Sequence, residues 1–147
     1  LGATISLQQH LLVESDGRTQ ELDAALEIDP ERIDLVVLAL NTRVLSLHYD
    51  GRSLESWRHP ALPSELRPED VLEDLQLTLW PVEALRRALP SEWRIEEQSA
   101  RRVVLAGGRP VTEIDYSGDS RWSGKIVLNN LRYRYRLTIQ SVLGSSQ

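Results

Sequence analysis

Up to Arg58 the chain alternates apolar and polar side chains. Ile5, Leu7, Leu11 and Val13 are separated by Ser6, Gln8 and His10, the period-two pattern of a half-buried strand, and Ser15-Asp16-Gly17 then supplies a turn. Leu22, Ala24, Leu26 and Ile28 against Glu21, Asp23 and Glu27 predict a second strand, which Asp29-Pro30 breaks. Ile33 to Leu40 is apolar on both faces, so a third strand there requires cover on two sides. Asn41-Thr42 predicts a hairpin connection and Val44 to Tyr49 a fourth strand. Asp50-Gly51 is a two-residue turn signal leading into a fifth over Ser53 to Arg58.

The pattern changes between His59 and Pro90, where Pro60, Pro63, Pro68, Pro81 and Pro90 punctuate two helical segments. In Pro68 to Leu79 the acids Glu69, Asp70, Glu73 and Asp74 crowd the N-terminal half, where they favour the helix dipole. Val71, Leu72, Leu75 and Leu79 recur at spacings of three and four. Pro68 suits a first helical turn, since its missing N–H has no partner to lose there. Val82 to Leu89 places Val82, Leu85 and Leu89 on one face and Arg86-Arg87 near the C-terminal end, and Pro90 stops it.

Strand character returns over Trp93 to Glu97, Arg102 to Ala106, Val111 to Tyr116, Trp122 to Asn129 and Leu131 to Val142. Gly107-Gly108, Ser117-Gly118-Asp119 and Asn129-Asn130 form the turns between them. Strands followed by helices followed by strands, without βαβ alternation, predict a mainly β (α+β) fold with an antiparallel sheet. A sheet of about ten strands accumulates twist and curls, so the expected architecture is a half-open β-barrel with the helical pair covering its concave face. One domain spans 1–147, with strands over roughly 3–58, a helical lid over roughly 64–90 and strands over roughly 92–143.

With 25 leucines and no phenylalanine the concave wall would be aliphatic, with a few rings. The residues expected to line it are Val37, Leu45, Leu47, Tyr49, Trp57, Leu72, Leu75, Leu79, Trp80 and Leu85. Such a wall tolerates acyl chains, and burying a long one contributes on the order of 10 kcal/mol before ordering costs. Leucine stripes at these spacings more often close a filled core than line an open cavity, and the pattern leaves both readings open.

Composition narrows the chemistry. A net charge of −5 and a pI near 5.2 oppose attraction to polyphosphate, so no nucleic-acid partner is expected. The absence of cysteine removes disulfides, Cys-based zinc sites and thiol catalysis. The longest apolar run, Ile33 to Leu40, is far short of the ~20 residues that cross a bilayer as a helix. The chain starts at Leu1 without methionine, so a processed segment is expected before it.

Catalytic and metal patterns are sparse. His10, His48 and His59 show neither His-x-His nor His-Glu-x-x-His spacing, so no metal is expected. Ser46, His48 and Asp50 fall on one strand face without a Gly-x-Ser-x-Gly elbow, and that face reads as polar and solvated. Glu113 and Asp115 are expected to point outward near Lys125. Gly107-Gly108 opens no helix, so neither a phosphate cradle nor a cofactor is expected. Arg132, Arg134 and Arg136 are expected on one strand face as a basic ladder, either solvated or meeting an anionic lipid or partner. No nucleophile and base are paired, so the protein is not expected to be an enzyme.

The stretch Asp70-Val71-Leu72-Glu73-Asp74-Leu75-Gln76-Leu77-Thr78-Leu79-Trp80-Pro81, followed by Leu85 to Pro90 and Trp93, resembles a family of bacterial lipoproteins found beside aryl polyene pigment genes. Ile114-Asp115-Tyr116, Trp122 to Ile126 and Tyr135-Arg136-Leu137-Thr138-Ile139 resemble it too, and the strand–helix–strand order is similar to the LolA and LolB lipoprotein carriers. The resemblance implies an eleven-stranded half barrel with helices as a lid. It also implies a periplasmic, outer-membrane-anchored protein of a Gram-negative bacterium, with a lipid anchor on a cysteine before Leu1. A lipid or lipidated ligand, such as a lipoprotein or aryl polyene lipid, is the expected partner. The alternative is a ligand-free adaptor that contacts an envelope protein.

Overall fold

The structure, a computed structural model, describes residues 4–15, 17–29, 31–60, 67–117 and 124–143. The predicted turn residues Asp16, Pro30 and Gly118-Asp119, Pro63 and the first residues of the lid, and Trp122 lie outside them.

Five strands, β1 (Ile5–Ser15), β2 (Arg18–Asp29), β3 (Arg32–Ala39), β4 (Thr42–Tyr49) and β5 (Leu54–Arg58), precede two helices, α1 (Pro68–Leu79) and α2 (Val82–Ala88). Five more follow: β6 (Trp93–Gln98), β7 (Arg101–Ala106), β8 (Arg109–Tyr116), β9 (Gly124–Asn130) and β10 (Tyr135–Leu143). All ten form one open antiparallel sheet in the order β5-β4-β3-β2-β1-β10-β9-β8-β7-β6. Each half is a hairpin meander, and β1 joins them by pairing with β10 from Leu7 opposite Leu143 to Ser15 opposite Tyr135. The mainly β, half-open architecture thus stands, with ten strands.

The helices begin and end where the sequence breaks them. Pro68 occupies the first turn of α1, and Trp80, which precedes Pro81, takes an extended ψ of 150° that ends it. Leu89 before Pro90 does the same for α2.

The core has two parts. Leu7, Leu22, Leu26, Leu35, Val37 and Leu45 are among the buried residues under β1–β4, where Leu72 and Leu79 of α1 join them. Ile95, Val104, Ile114, Ile126 and Leu128 anchor the second part, which takes in Leu77 of α1 and Leu85 of α2. One helix therefore faces both halves of the sheet, as its broad apolar stripe allows.

Three local expectations change. β3 is covered on one face only, since its outward Val36 and Leu38 stay half-exposed beside Ala25, Ser46 and Asp23. The β3–β4 connection turns on Leu40-Asn41, both at positive φ (50° and 64°), because a tight hairpin needs left-handed residues at both central positions. β9 runs through Asn130 and the turn falls on 131–134, where the Asn130 carbonyl oxygen Oδ1 accepts from the Tyr133 N–H at 2.9 Å and Arg134 has φ 60°.

Candidate functional site

Between α1 and the concave face lies a cavity of about 70 Å³. Its walls come from β1 (Leu11, Val13), β2–β4 (Leu22, Leu35, Val37, Leu45), β9 and β10 (Ile126, Leu128, Leu137, Ile139) and the helix (Val71, Leu75, Leu79). Pockets that enclose drug-sized ligands measure ~300–1,000 Å³. As it stands, the interior is mostly filled with side chains.

Four polar residues interrupt the lining: Gln9, Asp74, Thr78 and Tyr135. Asp74 is only 3% exposed. Its carboxylate accepts from the Tyr135 hydroxyl and from Asn130 Nδ2, at 3.3 Å to the nearer oxygen. Burial pushes its pKa up to about 7, against the opposing pull of those two hydrogen bonds. Burial, and next the charge on Asp74, push the Tyr135 phenol above its ordinary range. Thr78 Oγ1 donates to the Asp74 backbone carbonyl at 2.7 Å, and Gln9 Nε2 donates to Ser141 Oγ at 3.1 Å. In sequence Asp74 passes for a dipole-favouring acid, yet Val71, Asp74, Leu75 and Thr78 follow the i, i+3, i+4, i+7 spacing of one helix stripe. That spacing was the available signal.

Polar ties fasten the lid to the β7–β10 half. Arg102, 1% exposed, donates to the carbonyls of Leu77 (2.8 Å) and Thr78 (3.5 Å) at the C-terminal end of α1, and its Nε pairs with Glu97 at 2.7 Å. Tyr116 donates its hydroxyl to the same Thr78 carbonyl, and the Arg102 guanidinium lies 5.6 Å from the Tyr116 ring. Glu73 pairs with Arg132, whose guanidinium also stacks over Trp93 at 5.0 Å and Tyr133 at 5.2 Å. Nothing local marks Arg102 for this role, since its partners on α1 lie 24 and 25 positions away.

Of the residues expected to line the concavity, Val37, Leu45, Leu75 and Leu79 do so. Leu47 and Leu72 are buried in the first core cluster, with Tyr49 packed at its margin and Trp80 touching both clusters. Leu85 is buried in the second cluster, beneath α2. Trp57 is 47% exposed and sits opposite Ser46 on the convex side, edge-on to His59 at 6.2 Å.

The basic ladder is not formed. Arg132 and Arg134 belong to the turn before β10, Arg132 is engaged with Glu73, and only Arg136 lies in the strand, donating to Asn129 Oδ1 at 3.1 Å. Glu113 and Asp115 meet Arg101 of the neighbouring strand, at 3.1 and 2.9 Å, in place of Lys125. On the convex face His48 pairs with Asp34, not with Asp50, which instead caps its own turn by accepting from Arg52 and Ser53 N–H groups. Among the described residues no three metal-ligating side chains cluster, and no helix is long and apolar enough to cross a membrane.

Fold and site together define an open antiparallel half-barrel with a helical lid over a narrow apolar cavity. The chain belongs to the family described as "Protein of unknown function (DUF3261)", which matches residues 6–143. Among solved structures it is similar to the "Crystal structure of MucB in complex with MucA(peri)", at 15% identity and a TM-score of 0.45. The match covers 97% of this chain and 52% of that one, so the chain spans about half the length of that structure. No curated protein matches it.

Proposed function

We propose that the protein is a non-catalytic binder of an apolar ligand, which it holds between α1 and the concave face of the sheet. One observation carries the reading: the cavity is walled by aliphatic side chains from both halves of the sheet and from the helix, so the lid covers an apolar surface continuous across β1 and β10. At about 70 Å³ the space admits a ligand only if α1 moves outward. A hydrocarbon chain taking its place keeps the walls dry and contributes roughly 0.8 kcal/mol per methylene buried.

The resemblance to the LolA and LolB carriers and to lipoproteins beside aryl polyene genes supports a lipid or lipidated ligand, a periplasmic site of action and an outer-membrane anchor before Leu1. An adaptor role through Arg132, Arg134 and Arg136 has less support, since these arginines share no face.

The test is saturable binding of an uncharged environment-sensitive dye, with hydrogen exchange of α1 followed in parallel. One-to-one binding that weakens in Val37→Phe, which fills the cavity, and that speeds exchange of α1 amides is the expected result. Absence of saturable binding, or binding indifferent to Val37→Phe in a folded variant, sinks the proposal.

A further inference from the structure

The lining of the cavity contains one acid and, among the described residues, no Lys, Arg or His. The acid is also poorly matched by what surrounds it. Asp74 receives hydrogen bonds from two neutral donors, Tyr135 and Asn130, and the charges acting on it along its own helix, Glu73 and Asp70, share its sign. The cations on the packed elements are committed elsewhere: Arg132 to Glu73, and Arg102 to the Leu77 and Thr78 carbonyls and to Glu97. A carboxyl in an apolar enclosure with no cation is costly to ionise, and a cation brought beside it relieves that cost.

We infer that the cavity selects an amphiphile with a primary ammonium head, held by the Asp74 carboxylate, over one with a carboxylate head; the inference rests on the apolar-ligand reading above. An ammonium brings three donors and a full positive charge to the stretch of wall where Asp74 and, one turn on, Thr78 Oγ1 present acceptors. The aliphatic walls then take the tail. A fatty-acid carboxylate in the same place sets two like charges together in low dielectric, so one of them must take up a proton before it enters. The raised pKa of Asp74 is the same cost seen in the empty protein, and a bound cation removes it.

The experiment compares decylamine, decanol and decanoate, one tail with three heads, below their aggregation thresholds and at about pH 8, where Asp74 is mostly ionised. Binding is read by dye displacement and calorimetry. Decylamine is expected to bind about tenfold or more tightly than decanol, with decanoate weakest. Asp74→Asn should bring decylamine down to the level that decanol shows in the same variant. Tyr135→Phe, which keeps the carboxylate, should preserve the preference and guards against a fold defect in the first variant. Equal binding of all three ligands overturns the inference and leaves the apolar-ligand reading standing. A preference that survives Asp74→Asn assigns it to the acidic surface and also overturns it. Failure of every ligand and of the neutral dye removes the apolar-ligand reading, and the inference with it.

Discussion

Arg102 of β7 donates from Nη1 to the main-chain carbonyl of Leu77, 2.8 Å away, so a buried guanidinium caps the C-terminal end of α1. The last carbonyls of a helix have no partner within it and carry the negative end of its dipole, so one cation satisfies both demands. Arg102→Met removes the charge and takes the partner from the Leu77 carbonyl and from Glu97, while the Thr78 carbonyl keeps the Tyr116 hydroxyl. It should cost about 3–5 kcal/mol in denaturant unfolding and speed exchange of α1 amides ahead of the sheet. Arg102→Lys keeps a charge without the planar fork and should recover only part of the loss. A change of less than about 1 kcal/mol for Arg102→Met means that the lid is held by apolar packing alone.

Asp74 makes folding pH-dependent with a defined sign. Its pKa rises from an ordinary 3.8 to about 7 on folding, so the folded state binds the proton more tightly than the unfolded chain. Its carboxyl therefore stabilises fully below about pH 4, and that stability is lost as pH rises toward 7 and beyond. Asp74→Asn stays neutral throughout and should be the more stable protein at pH 8, by on the order of 2–4 kcal/mol, with the difference vanishing near pH 4. Parallel unfolding curves of the two proteins across this range check it; a constant offset contradicts the burial argument.

On the convex face His48 and Asp34 shift in opposite directions. The hydrogen bond and charge of Asp34 hold the His48 imidazole above its ordinary value. Asp34 lies below its own, partial burial opposing but the hydrogen bonds from His48 and Arg32 prevailing. The His48 contribution is present below pH about 6.5 and is lost as pH rises through the higher folded value. An NMR titration should show the His48 midpoint above that of a free histidine, and Asp34→Asn should return it. Because His48 is exposed on the sheet, the effect should shrink with added salt.

Leu40 is 99% exposed at φ 50°, in a hairpin position that a branched aliphatic side chain adopts only with strain. Leu40→Asn loses no packing and suits the left-handed region, so it should stabilise by about 0.5–1 kcal/mol in thermal or denaturant unfolding. A loss of stability would reveal packing of Leu40 that its exposure does not suggest.

How much was legible differs by element. Period-two alternation located β1 and β2, the second of which buries every other residue, while an apolar run marked β3 and the Asp50-Gly51 turn signal marked the way into β5. Proline placement fixed both helices for an equally local reason, as Pro68, Pro81 and Pro90 set the backbone on either side of them. The ladder failed because alternation over Leu131 to Leu137 continues through what is a turn, and only Asn130 accepting the Tyr133 N–H redirects the chain.

Spacing along the chain was enough to give the element order, the antiparallel hairpins of each half and the aliphatic character of the inner face, whereas the joining of the halves into one sheet rests on the long-range pairing of β1 with β10. Only the tertiary structure decided that Asp74 meets Tyr135 and Asn130, that Arg102 caps α1, and that the interior is nearly full. Those contacts join residues 25 to 61 positions apart, between α1 and the strands β7, β9 and β10, where pairing depends on how the helix lies on the sheet and no local pattern records it.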